Sequence, residues 1–167
     1  MAVTPLRAGS GLSCSPGERQ MRSFAGFVGL LMTLLVAVSV SAQNKVPSER
    51  SLEALVKSTL LSWNDANVTG EYAVFHAKLS KPFRDQFPTS RLKEIFKKFA
   101  DENIDIAVVA AMKPTYDPAP VVDDKGKLVV HGYFPTEPLR VIFALEFIPS
   151  DGEWKLISIN VKTDNQS

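Results

Sequence analysis

The chain has 167 residues, of which 19 are lysine or arginine and 18 are aspartate or glutamate. This length allows one domain, and the near balance of charge argues against a nucleic-acid-binding protein, which normally carries a clustered basic excess. Cys14 is the only cysteine, so the part of the chain after it offers no thiol for a redox, nucleophilic or thiolate-metal site.

An apolar segment near the N-terminus has the three parts of a secretory signal. Met21-Arg22 is a basic start, an uncharged run covers 24–38, and Val40 and Ala42 occupy the minus three and minus one positions. We expect a signal peptide over 21–42 that is cleaved after Ala42, giving a periplasmic or secreted protein. The alternative is an uncleaved membrane anchor over 24–42, since a bilayer requires roughly 20 residues. Residues 1–20 are expected to be unstructured, or translation starts at Met21.

Three amphipathic helices are predicted after a polar linker over 43–51. The first runs from Leu52 to Trp63 and is expected to end in the Asn64–Gly70 cluster, because asparagine and glycine tolerate the left-handed cap conformation. The second covers about 71–79 and stops before Pro82. The third begins at Thr89 or Ser90 and continues to Phe99. Apolar residues at helical spacing define their buried faces: Leu52, Leu55, Val56, Leu60, Trp63, Tyr72, Phe75, Leu79, Leu92, Ile95, Phe96 and Phe99.

From Ile104 onward the pattern changes to that of strands. Strands are predicted over 104–112, 127–134, 139–148 and 153–161, and the proline-rich stretch 113–120 is expected to be irregular or edge structure. The turn Pro149-Ser150-Asp151-Gly152 joins the last two strands into a hairpin. The sequence therefore predicts an α+β fold in which three helices pack on one face of an antiparallel sheet of about four strands.

The long strand over 139–148 carries apolar residues on both faces. One face holds Leu139, Val141, Phe143, Leu145 and Phe147, and the other holds Arg140, Ile142, Ala144, Glu146 and Ile148. In the last strand we assign Trp154, Leu156, Ser158 and Asn160 to one face and Lys155, Ile157, Ile159 and Val161 to the other. A second apolar face is usually covered, so we expect a homodimer through the sheet.

This order of elements, the turn Gly70-Glu71-Tyr72-Ala73 and the closing pattern Asp151-Gly152-x-Trp154-Lys155-Leu156-x-x-Ile159 carry a resemblance. The chain is similar to the nuclear transport factor 2-like superfamily, which includes ketosteroid isomerase and SnoaL-type enzymes, over a domain at 52–162, with a disordered tail at 163–167. The resemblance implies a cone, in which a curved sheet wraps the first helix and leaves a pocket between sheet and helices. Members use this pocket as a catalytic site, as a ligand cavity, or for no ligand.

Seven aromatic side chains either line this pocket or simply fill the core: Trp63, Tyr72, Phe75, Phe96, Phe99, Phe143 and Trp154. An isomerase would also need a carboxylate base in an apolar cavity and an acid opposite it. Glu146 or Asp105 is the candidate base and Tyr133 the candidate acid. The interpretation that we favour for Glu146 is an ion pair on an exposed face with Arg140, Lys155 or a lysine of another strand, while Asp105 is equally consistent with a surface charge at the start of a strand.

No metal site or cofactor is expected, because His76 and His131 are the only histidines and have no partner at helical metal-ligand spacing. Asn67-Val68-Thr69 matches a glycosylation acceptor, which has meaning only in a eukaryotic secretory pathway. The leading prediction is an exported non-enzymatic domain that binds a small apolar ligand or a protein partner and meets a membrane only through its signal segment. The alternatives are a cofactor-independent isomerase or SnoaL-type enzyme, and an accessory domain tethered by an uncleaved anchor.

Overall fold

The structure is a computed structural model that describes residues 45–165. The expected unstructured start at 1–20, the signal segment at 21–42 and the alternative anchor at 24–42 lie outside this range. Within it, none of the helices combines the length and the apolar character needed to cross a bilayer. The α+β prediction is confirmed, with five α-helices followed by a five-stranded antiparallel sheet in the described range.

Helix α1 covers Glu49–Thr69 and is longer at both ends than predicted. It begins within the expected linker, because the Ser48 hydroxyl accepts a hydrogen bond from the Ser51 N–H at 3.3 Å and caps the first turn. It also continues through the Asn64–Asn67 cluster and ends at Gly70, which has a φ of 73°. Asn64 does not cap the helix because its amide bonds to a distant loop, where its Oδ1 accepts from the Ile106 N–H at 2.9 Å.

Four short helices follow: α2 at Ala73–Lys78, α3 at Lys81–Gln86, α4 at Thr89–Ile95 and α5 at Lys97–Asp101. The expectation of three helices was therefore wrong in number. Pro82 lies in the first turn of α3 and Pro88 precedes α4, and proline starts a helix readily but cannot continue one. The predicted third helix is divided at Phe96, where φ is −96° and ψ is 7°.

The strand predicted over 104–112 is wrong, because this segment contains a 3₁₀ helix at Ala107–Ala111. Ile106 and Val109 are buried three residues apart, which is the repeat of a 3₁₀ helix rather than that of a strand. The Asp105 carboxylate accepts a hydrogen bond from the Ala107 N–H at 2.8 Å and fixes the start of this turn.

The sheet contains β1 at Thr115–Tyr116, β2 at Val121–Val122, β3 at Leu128–Phe134, β4 at Leu139–Ser150 and β5 at Glu153–Asn165. All pairings are antiparallel and the order is β1-β3-β4-β5, with β2 also paired to β3. Strand β5 extends beyond its predicted end at Val161. On the free edge of β5, the Ser80 N–H donates to the Leu156 carbonyl at 2.9 Å.

One hydrophobic cluster joins α1 to the inner face of the sheet. The predicted inner face of β4 is confirmed for Val141, Phe143, Leu145 and Phe147, which are all buried. The predicted faces of β5 are wrong, since Leu156 and Val161 are both buried. A bulge next to the Glu146/Phe147 step leaves Ile157 without a partner residue on β4, and this extra residue reverses the alternation between the two halves of β5.

Candidate functional site: a groove on the open face of the sheet

The aromatic side chains predicted to line a pocket pack largely against one another. The Trp63 ring lies edge-on to Phe96 and Phe99, with centroids 5.5 and 4.8 Å apart, and Tyr72 stacks on Phe96 at 6.5 Å. Trp63, Tyr72, Phe75, Phe96 and Phe143 are buried, while Phe99 and Trp154 are half-buried. All seven belong to the hydrophobic core or pack directly on it. Trp154 borders a depression of about 180 Å³ and Phe99 borders one of about 130 Å³.

Glu146 lies on the outer face of β4, away from this core. Its carboxylate accepts a hydrogen bond from the Lys127 ammonium at 2.5 Å, and both side chains are about one-third exposed. This hydrogen bond is the main reason that the pKa of Lys127 is raised. Glu146 thus forms a partly solvated ion pair with Lys127, the residue that directly precedes Leu128.

Asp105 lies at the surface, in the loop that follows α5. Its Oδ1 atom accepts hydrogen bonds from the Ala107 N–H at 2.8 Å and from the Asn64 amide at 2.7 Å. These two donors, the backbone one first, lower the pKa of Asp105 because they stabilise the ionised form. The carboxylate holds the loop against α1.

Tyr133 is on the outer face of β3, where the Arg140 guanidinium covers its ring at 5.0 Å from the centroid. Its register partner on β4 is Ile142, whereas the partner of Glu146 is Val129. Four residues of strand separate the two positions, which corresponds to about 13 Å. The structure therefore does not bring the candidate acid close to Glu146, and Asp105 belongs to a different part of the fold.

The outer face of the sheet instead forms a groove of about 410 Å³. Its floor is Ala144, which lies between His131 of β3 and Asn160 of β5. In the next row along the strands, Ile142 lies between Tyr133 and Lys162. The small methyl group of Ala144 between longer side chains produces the concavity.

Several polar side chains around this floor have no partner within residues 45–164. His131, Asn160 and Lys162 make no side-chain hydrogen bond or ion pair with any described residue. The Nε atom of Arg140 is buried with no hydrogen-bond partner in the described part of the chain, and its Nη2 atom forms an ion pair with the Asp164 carboxylate at 3.8 Å. Asp117 is at the rim, where its N–H donates to the His131 carbonyl at 3.1 Å.

The alternation of the β4 sequence predicts that Arg140, Ile142 and Ala144 lie together on one face. Asn160 and Lys162 could not be added to that face, because the bulge at Ile157 sets their direction. The pairing of β1 with β3 brings Asp117 to the groove. This pairing could not be predicted, because the proline-rich sequence around Asp117 has no strand pattern.

The glycosylation triplet is inaccessible in the folded chain. Asn67 is 3% exposed, and its side-chain oxygen accepts a hydrogen bond from the Tyr72 hydroxyl. A glycan on the Asn67 amide would have no room beside this contact.

Within residues 45–165, no three side chains of histidine, cysteine, aspartate or glutamate are grouped closely enough to hold a metal ion. Comparisons with protein-family profiles, with curated proteins and with solved structures find no match for the chain. The properties of the groove are therefore the basis for assigning a function.

Proposed function

We propose that this protein is an exported, non-enzymatic binding domain that takes its ligand in the groove over Ala144. The observation that carries this proposal is that His131, Asn160 and Lys162 surround an apolar floor and have no side-chain partner among the described residues. Ligand sites are typically concave surfaces of 300–1,000 Å³ with a mostly apolar lining and a few placed polar groups. The groove has the size of such a site, and its middle, formed by Ile142 and Ala144, is apolar.

The packing of the interior supports a binding surface outside the cone rather than within it. Trp63, Phe75 and Phe143 are each at most 2% exposed, so a ligand between sheet and helices would have to displace core side chains. The separation of Glu146 from Tyr133 also favours the non-enzymatic form over an isomerase, since general acid and base groups must reach one substrate together. Membership of the nuclear transport factor 2-like superfamily, including the cone, is part of this proposal, supported by the order of helices and sheet and by the closing strand.

Self-association is a second candidate for the same face. Ile142 and Ile148 are half-buried apolar residues on the outer side of β4, and a second copy placed over them would remove this surface from water. Such a homodimer would cover Ala144, so the two candidates compete for one surface.

The first test is an NMR titration of the ¹⁵N-labelled purified protein with benzoate, benzamide, benzyl alcohol and benzylamine. At least one of these one-ring probes is expected to shift the backbone amide signals of 142–144 and 160–162. The same titration of Ala144→Phe should show no such shifts, because the larger side chain occupies the floor. Ile148→Phe is the matched control on the same strand and face outside the groove, and it should bind like the unmodified chain.

Besides the absence of any shift in the groove signals, two results would contradict this proposal. Shifts centred on residues around Trp63 and Phe96 would place the ligand in the interior, and groove shifts that persist in Ala144→Phe would show that the floor is not the contact surface. Sedimentation of the unmodified protein and of Ile142→Lys tests the second candidate, since a dimer through this face should dissociate when a charge is placed in its centre.

A further inference from the structure

We infer that the ligand of the groove is a small organic monocarboxylate whose body is apolar. This inference rests on the proposed function and specifies the chemistry of the same site. Its three supports are the charge of the lining, the geometry of its donors and the apolar floor between them.

Neither cation of the groove is held in a tight ion pair within the described residues. Lys162 has no ion-pair partner there, and Arg140 has a 3.8 Å ion pair with Asp164 between side chains that are 36% and 57% exposed, so this pair contributes little. Asp117 is the one acidic residue in the groove lining. A ligand with a single carboxylate can therefore pair with both cations.

The donors of Arg140 and Lys162 lie close enough to share one carboxylate. Arg140 is opposite Asp164 in the register of β4 with β5, and Lys162 is two residues from Asp164 on the same face. Such diagonal neighbours are separated by about 7–8 Å, which long side chains span easily. The planar guanidinium fits a carboxylate by two parallel N–H donors.

Several features favour a carboxylate over a phosphate. The lining consists of strand residues and the edge residue Asp117, and it contains neither a glycine-rich loop nor a helix N-terminus, which are the usual backbone cradles for phosphate. Asp117 at the rim also opposes a dianion more strongly than a monoanion.

The centre of the groove is suited to an apolar body. Ile142 and Ala144 form its middle and Tyr133 adds one aromatic wall, so a hydrocarbon group that lies over them is removed from water. His131 and Asn160 flank Ala144 on either side and can bond a polar substituent at the far end of the ligand.

The test compares benzoate with benzamide, which have the same shape and differ in charge. We expect benzoate to shift the amide signals of 142–144 and 160–162 and to bind at least about tenfold more tightly than benzamide, because a hydrogen bond to a charged group outweighs a neutral one. Arg140→Met and Lys162→Met should each weaken benzoate binding by about tenfold and weaken benzamide binding less, because the neutral amide has no charge to pair with either cation.

Lys127→Met is the matched control, since it removes a lysine from the same side of the sheet without touching the groove. Benzoate binding should be unchanged in this variant. Lys162 is exposed, so its substitution keeps the test valid even if Arg140→Met folds poorly.

The outcomes separate this inference from the proposed function. Equal binding of benzamide and benzoate in the groove would overturn the carboxylate and leave the groove as a binding site. Displacement of benzoate by equimolar inorganic phosphate would also overturn it, in favour of a phosphate site. If none of the one-ring probes shifts the groove signals, both the inference and the proposed function fail.

Discussion

Gly132 is a position at which a single added methyl group would collide with the backbone of a neighbouring strand. It faces the core from the middle of β3 and is paired with Tyr116 of β1 and with Phe143 of β4. A Cβ atom built on Gly132 would overlap the Thr115 carbonyl oxygen and would lie 3.0 Å from the Phe143 ring. The oxygen belongs to the backbone, so no side-chain rotation relieves the clash.

Gly132→Ala should therefore push β1 away from β3 by roughly 1 Å to restore contact distance. Strand β1 has only two residues, and breaking its ladder bonds costs about 1 kcal/mol each. Loss of the edge-on contact between Tyr116 and Phe143 adds about 1 kcal/mol. The lower unfolded-state entropy of alanine offsets about 0.5–1 kcal/mol, so we expect a net destabilisation of about 2 kcal/mol.

The assay is urea unfolding followed by the fluorescence of Trp63 and Trp154. Gly126→Ala is the matched control, because Gly126 has a φ of 76° and no atom within 4 Å of an added Cβ, so it measures backbone strain alone at about 1 kcal/mol. A Gly132→Ala protein within about 0.5 kcal/mol of the unmodified chain would refute the close approach of β1 to β3. If Gly132→Ala keeps the unfolding free energy of the unmodified chain, the position of Asp117 at the groove rim does not depend on the pairing of β1 with β3.

Two further predictions concern hydrogen bonds outside the groove. Asp105→Ala should lower the urea midpoint at pH 7. This difference from the unmodified chain should shrink as the pH falls below the ordinary aspartate pKa of about 3.9, because the lowered pKa of Asp105 confers stability only while the group is ionised. A difference that stays constant from pH 7 to pH 2 would contradict this role. Tyr72→Phe should cost about 1–3 kcal/mol of unfolding free energy, because it leaves the buried Asn67 oxygen without its donor. Tyr133→Phe, at a half-buried residue on the outer face of the sheet, should cost less than about 0.5 kcal/mol. Equal costs would show that the Tyr72–Asn67 bond contributes nothing.

The hairpin of β4 and β5 was predictable from sequence because its signals are local. Both strands are rich in β-branched and aromatic residues, and the turn residues Ser150, Asp151 and Gly152 separate them. Gly152 has a φ of 79°, as such a turn requires. The inner face of β4 follows from the same alternation. Strength and length of the local pattern made these predictions correct.

The incorrect predictions occur where distant contacts override local preferences. Asn64 is typical of a helix end, but in the fold it bonds to Asp105 and Ile106, and this keeps α1 intact while shaping the segment after Ile104 as a turn. The alanine-rich run there has no periodicity strong enough to show this. The groove depends on the bulge at Ile157, and no residue type marks its place in β5.

The hydrogen bond from Ser80 to Leu156 also has a consequence for solubility. Strand β5 is at the edge of the sheet, and this bond covers the edge at Leu156. Residues 158–165 present an edge that pairs with no other described segment, and such an edge can add a strand from another molecule. Lys162 and Asp164 carry charges there, and charged side chains on an edge oppose that addition. Lys162, which we propose to bind the ligand, is thus also one of the charges that oppose strand addition at this edge, so its substitution should be studied in dilute solution.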